Sequence, residues 1–191
     1  MTTFGLIRHG MTDWNRAGRL QGQQNIPLNE TGRGQARTLG ERLKQERWDL
    51  IVSSDLSRAK ETADIIAGIA GIGASHADCR LRERTWGRLD GTTLEEREAA
   101  YGADWKKLDH GIETDGQMFE RGIECLEELH AAYPGKRVLV VSHGAFIAVL
   151  LEGVLDVMPE GSLQNTSVSI IQRSANGWTC PLFNCTAHME E

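Results

Sequence analysis

Apolar positions in this chain alternate between short unbroken runs and stretches spaced one helical turn apart. Residues 3–7 form such a run and end at Arg8-His9-Gly10, which predicts a buried strand stopping at a glycine turn with polar groups at its carboxyl end. Asn29 is placed to cap a helix whose Ala36, Leu39 and Leu43 share one face, and residues 50–53 read as the next strand. Ser54 or Asp55 would cap a second helix, with Ala59, Ala63, Ile66 and Ala70 on one side, Arg58 in the first turn, and Gly71 and Gly73 at the end. A third strand is expected just before Leu81. Residues 81–117 are then polar and broken by Gly87, Gly91, Gly102, Gly111 and Gly116 into short helical pieces, which reads as an excursion over the active site.

Amphipathic spacing resumes over residues 119–133, through Ile123, Leu126 and Leu129, and Pro134-Gly135 closes that helix. Residues 138–141 form the clearest buried strand; it ends at Ser142-His143-Gly144, and residues 145–154 have the composition of a helix. Residues 168–172 and 178–182 predict a hairpin turning at Asn176-Gly177. Alternating strands and helices imply an α/β fold: a three-layer sandwich with a mainly parallel central sheet and helices on both faces, as one domain over residues 1–191. Its functional crevice is expected at the carboxyl ends of the strands.

Composition narrows the partners. The 191 residues are 40% hydrophobic and 25% charged with a net charge of -6, which suits a core-forming chain and excludes a nucleic-acid binder that needs a basic face. An anionic substrate must therefore be captured locally. No apolar run approaches the ~20 residues that span a bilayer, and residues 1–8 become charged too soon for a signal peptide, so no membrane partner and a cytoplasmic location are expected. Cys79, Cys125, Cys180 and Cys185 lack CxxC spacing, which argues against zinc and against a disulfide framework. The sequons opening at Asn29, Asn165 and Asn184 carry no weight without a secretory signal.

The chemistry lies where strands stop. Arg8-His9 and Ser142-His143 each follow an apolar strand and precede a glycine, so a parallel sheet directs both histidines into one crevice. Arg8 and Arg58 reach the same edge, and guanidinium forks match phosphate oxygens two at a time. A neutral imidazole can attack phosphorus without a metal-activated water, which makes His9 the expected nucleophile, Arg8, Arg58 and His143 the phosphate pocket, and Glu83 the general acid at the mouth of the excursion. Backbone N–H groups beginning at Gly144 would add anion-binding dipoles. These groups predict hydrolysis of phosphomonoesters of small metabolites through phosphohistidine on His9, with no metal and no organic cofactor.

Leu6-Ile7-Arg8-His9-Gly10, Thr12, Trp14-Asn15, Gln21-Gly22 and Pro27-Leu28 resemble the opening of the histidine phosphatase superfamily, which includes the cofactor-dependent phosphoglycerate mutases. The blocks from Ser53 to Ala63, Leu81-Arg82-Glu83 with Gly87 and Gly91, and Val141-Ser142-His143-Gly144 continue the resemblance in order over nearly the whole chain. It implies a phosphoglycerate mutase-like fold, the same roles for His9, Arg8, Arg58, His143 and Glu83, and phosphate or substrate contacts for Asn15 and Gln21. Met11, Asn25 and Asp115-Gly116-Gln117-Met118 depart from the pattern, and Ala145-Phe146-Ile147 replaces the Asn-Ser-Leu-Arg-like stretch of mutases. With only a short excursion, hydrolysis is favoured over a mutase; a phospho-ligand binding module without turnover is the third reading.

Other features are set aside as structural. Gly135-Lys136 lacks the frame of a phosphate loop, and His76, His110 and His130 have no partners at metal spacing. Glu95 to Glu98 reads as a solvated helical face. Trp86 and Trp105 either line the leaving-group side or anchor the excursion, and the sequence assigns no role to His188.

Overall fold

The computed structural model describes residues 1–155 and 162–189. Among the described residues six strands form one sheet, in the order β3 (His76–Ala77), β2 (Leu50–Ser53), β4 (Arg137–Ser142), β1 (Thr2–Arg8), β5 (Val168–Ser174) and β6 (Gly177–Cys185). The strands β1, β2, β3 and β4 run parallel, whereas β5 and β6 form an antiparallel hairpin against β1. The central strand β4 alternates its buried side chains between two cores. Val138 and Val140 pack with Phe4, Leu6, Leu126, Phe146 and Leu150, while Leu139 and Val141 pack with Ile7, Leu39, Ile51, Ala63 and Ile66. Burial on both faces at a period of two residues is what makes the strand read as one continuous apolar run.

Helices α2 (Glu30–Leu43) and α3 (Ser57–Ala70) cover one face, and α5 (Asp115–Ala132) and α6 (Gly144–Val154) cover the other, giving the expected three layers. The excursion holds 3₁₀ turns at Cys79–Leu81, Gly87–Leu89 and Trp105–Lys107 around α4 (Leu94–Tyr101), and one short helix, α1 (Asp13–Arg16), follows β1. No helix among the described residues is long and apolar enough to cross a membrane.

Asn29 caps α2, its Oδ1 accepting the Gly32 N–H at 2.9 Å. Neither Ser54 nor Asp55 caps α3. The N-cap is Leu56, with no side-chain bond, because the Asp55 carboxylate is taken by the Arg82 fork at 2.7 and 2.6 Å. The third strand shrinks to His76–Ala77, exposed at the sheet edge. α5 starts at Asp115, four residues before the apolar spacing becomes regular, because Thr114 and Gln117 close a capping box. Arg97, inside the acidic run of α4, is buried beneath the Trp105 ring at 4.9 Å, so that face is only partly solvated.

Candidate active site

Register brings the two histidine motifs together. Arg8 pairs with Ser142 across β1 and β4, and the His9 N–H donates to the Ser142 carbonyl at 2.9 Å. His9 and His143 therefore leave the sheet side by side, with ring centroids 5.2 Å apart and planes at 60°. The His9 Nδ1 lies 2.7 Å from the carbonyl oxygen of Gly10. A carbonyl can only accept, so Nδ1 carries the proton and Nε2 the lone pair. Both rings are buried, and neither nitrogen of His143 has a partner among the described residues.

Arg58 is wholly buried in the first turn of α3, where Nη1 donates to the Gln24 carbonyl at 2.7 Å and Nη2 to that of Gly22 at 2.8 Å. Gly22 has φ +52, and a Cβ there would collide with the Asp90 carboxylate, so the loop closes only on glycine. Arg8 donates through Nη1 to the Leu163 carbonyl at 2.6 Å. The Nε atoms of both arginines are buried without a partner among the described residues. Donors anchored at one end and unsatisfied at the other are what an arriving oxyanion requires.

Burial and mutual repulsion set the charges. Desolvation, then the fields of Arg58 and Arg8, hold the His9 imidazole well below its ordinary pKa, against the opposing pull of its bond to Gly10. His143 is held well below by burial, then by Arg58, His9, Arg121 and Arg8. Burial pushes the Arg58 guanidinium down to about 10, with Glu83 and Asp90 opposing, which leaves it charged at neutral pH. Two imidazoles held toward their neutral form thus share the site with two guanidiniums.

Glu83 is held by main-chain donors. Its Oε1 accepts the N–H of Arg84 at 2.8 Å and of Phe146 at 3.1 Å, and Oε2 accepts that of Ala145 at 3.2 Å. The first N–H groups of α6, expected to face phosphate directly, are therefore engaged by a carboxylate of the chain itself. Arg8, Glu83 and Gly144 line one cleft of about 310 Å³, completed by Ala145, Ala148, Ser162, Leu163 and Phe183. A Cβ at Gly144 would stand 3.3 Å from the Arg8 Nε.

Asn15 and Gln21 meet through Thr12, whose hydroxyl lies 3.1 Å from Asn15 Oδ1 and 2.9 Å from Gln21 Oε1. Trp86 and Trp105 line a separate cleft with Leu20, Leu94 and Ile112, rather than the one containing Arg8 and Glu83. His188 is buried beside Thr166, with Nε2 3.2 Å from its hydroxyl.

Sequence reasoning missed the supports of His9. Asn165 Nδ2 donates to the His9 carbonyl at 2.9 Å. The Thr62 hydroxyl accepts the Gly10 N–H at 3.1 Å and donates to the Arg58 carbonyl at 2.7 Å, tying the His9 loop to α3. Thr62 lies one turn beyond Arg58, a signal available in the sequence; Asn165, more than 150 residues from His9, offers none.

A model of the histidine phosphatase superfamily (branch 1) matches residues 4–186. A Bacillus subtilis protein described as an uncharacterized phosphatase, PhoE, is 38% identical over 192 residues, covering 99% of this chain and 97% of its own. The metal-independent phosphoserine phosphatase of Arabidopsis thaliana is 34% identical over 199 residues, covering 99% of this chain and 84% of its own. The solved structure of a mycobacterial glucosyl-3-phosphoglycerate phosphatase complexed with VO3 superposes with a TM-score of 0.86 at 30% identity, covering 96% of this chain and 99% of that one.

Proposed function

The chain belongs to the histidine phosphatase superfamily, and from that premise we propose that it hydrolyses phosphomonoesters of small metabolites through a phosphohistidine on His9. The observation that carries this reading is the bond from His9 Nδ1–H to the Gly10 carbonyl, which leaves an unprotonated Nε2 beside His143 and in the field of two arginines. The lone pair of Nε2 forms the N–P bond as the ester P–O bond breaks. Arg8 and Arg58 neutralise the equatorial oxygens, where transition-state charge collects, so the chemistry needs no metal ion. His143, whose two nitrogens have no partner among the described residues, donates a hydrogen bond to the same phosphoryl group.

Glu83, in its acid form, gives a proton to the departing ester oxygen. As a carboxylate it then takes one from the water that attacks phosphohistidine, releasing inorganic phosphate and restoring both His9 and the acid. Gly144 allows Arg8 to approach, and Asn15 and Gln21, joined through Thr12, are assigned contacts to phosphate or substrate. Similarity to phosphatases of phosphoserine and of glucosyl-3-phosphoglycerate supports a small phosphorylated metabolite as substrate.

Rapid acid-free quenching with an aryl phosphate should trap about one alkali-stable phosphoryl group per chain, and His9→Ala should abolish both trapping and turnover. Activity should survive a chelator. Turnover by His9→Ala would overturn the nucleophile, and full loss on chelation would overturn metal independence. Isomerisation of phosphoglycerate outrunning phosphate release would replace hydrolysis by the mutase reaction.

A further inference from the structure

A carboxyl group serves a departing oxygen only when it is held within hydrogen-bond reach of it. Glu83 lies between two 3₁₀ turns, on neither a strand nor a helix, so its neighbours must fix it. One side chain reaches the acid from two directions. Arg121 of α5 donates through Nη1 to the carbonyl of Arg80 at 2.5 Å and through Nη2 to that of Glu83 at 3.4 Å. Its guanidinium also stands over the Phe146 ring at 5.0 Å, and the Phe146 N–H is one of those that hold the Glu83 carboxylate. The same ring is pressed against the next residue of α5, since a Cβ on Gly122 would lie 2.8 Å from it.

Arg121 is itself locked. Glu113 accepts from its Nε at 2.7 Å and from Nη2 at 2.9 Å, and the two side chains are only 18% and 13% exposed, which shields the pair from solvent competition. The Glu113 N–H in turn donates to the Thr85 carbonyl at 3.0 Å, two residues past Glu83. The clamp therefore grips the chain before Glu83, at it and after it. A lysine replaces it only in part, because an ammonium lacks the planar fork that binds a carboxylate and two carbonyls together.

We propose that Arg121, locked by Glu113, is a positioning residue for Glu83, acting beside Gln23, whose Nε2 donates to the Glu83 carbonyl at 3.2 Å. The assignment rests on Glu83 being the proton donor. Arg121 bonds to Glu113 and to the Arg80 and Glu83 carbonyls and acts on His143 only through its field, so its loss should fall mainly on the proton transfer and leave phosphate capture largely in place.

The test compares the full chain with Arg121→Met, Arg121→Lys, Glu113→Gln and Glu83→Gln on p-nitrophenyl phosphate and on glycerol 2-phosphate, whose alkoxide must be protonated to leave. Arg121→Met should lower kcat on the alkyl ester by about tenfold or more and on the aryl ester by no more than about threefold, with inhibition by inorganic phosphate nearly unchanged. Arg121→Lys should fall between Arg121→Met and the natural chain. If Arg121→Met shows no melting transition, Glu113→Gln carries the test, since it keeps the guanidinium and only loosens its lock. Selective alkyl loss in Glu83→Gln, with proportional or no loss in the Arg121 and Glu113 variants, overturns the positioning role alone. Equal loss on both esters in Glu83→Gln overturns the acid reading on which it rests.

Discussion

His9 depends for its chemistry on a neighbour one residue away. The Gly10 carbonyl fixes the Nδ1–H tautomer, and burial beside Arg58 and Arg8 holds the ring toward its neutral form, so the proposed nucleophile has a free nitrogen without a separate base to create it. Glu83 is the other residue on which the proposed cycle turns. Removing its proton should lower kcat on alkyl phosphates by about 10²-fold or more, and much less on aryl phosphates, whose leaving groups depart unprotonated. Steady-state rates of Glu83→Gln on the two ester classes check this, and equal losses would remove Glu83 from the acid role. The types and order of these residues were readable in the sequence; their supports were not, because Asn165 and Thr62 act through single hydrogen bonds that only the folded chain brings within reach.

Among the elements, the loop after β1 and the start of α2 show how closely the site is built. A Cβ on Gly10 would stand 2.5 Å from the Gly32 carbonyl oxygen, and a Cβ on Gly32 would collide with the main chain of Met11. Two backbones therefore touch, and neither can yield as a flexible side chain would. Gly32→Ala should destabilise the chain by about 2 kcal/mol and displace the His9 loop. Gly34→Ala, on the same helix with nothing near its Cβ, should instead stabilise by roughly 0.5–1 kcal/mol. Urea unfolding of both variants checks the pair; equal effects would mean that helix propensity alone governs these glycines. Helix existence was legible from apolar spacing, whereas helix starts were not. Asp55 looked like a cap for α3 until Arg82, far along the chain, engaged it, and α5 gained a turn from a polar capping box that no apolar pattern marks.

On the scale of the whole molecule, an acidic chain of net charge -6 surrounds a site built on Arg8 and Arg58, so under the proposed function capture of a phosphate ester rests on local geometry and not on long-range attraction. The same burial makes stability depend on pH. His9 and His143 are held well below the ordinary value of 6.5, and His188 is pushed down to about 4 by burial and Arg42. Below pH 6.5 the unfolded chain takes up protons at these rings that the folded chain refuses, so stability is full above that pH and lost as pH falls. Each ring contributes a slope approaching about 1.4 kcal/mol per pH unit while the folded form stays neutral. Urea midpoints should drop between pH 7.5 and 5.5, and His143→Gln should flatten the drop. A midpoint independent of pH over that range would show that the rings take up protons as readily in the folded chain as in the unfolded one.

The sequence by itself determined the layers of the fold and the motifs in which the proposed reacting groups stand. Strand and helix periods, and residues placed where strands end, are local properties that survive without coordinates. Only the tertiary structure decided what each group is bonded to: that Gly10 sets the His9 tautomer, that Glu83 rather than substrate phosphate engages the N–H groups of Ala145 and Phe146, and that Arg121 grips the Glu83 segment. Hydrogen bonds at 2.5–3.4 Å between residues dozens of positions apart depend on register and loop path, and no pattern along one chain encodes those distances.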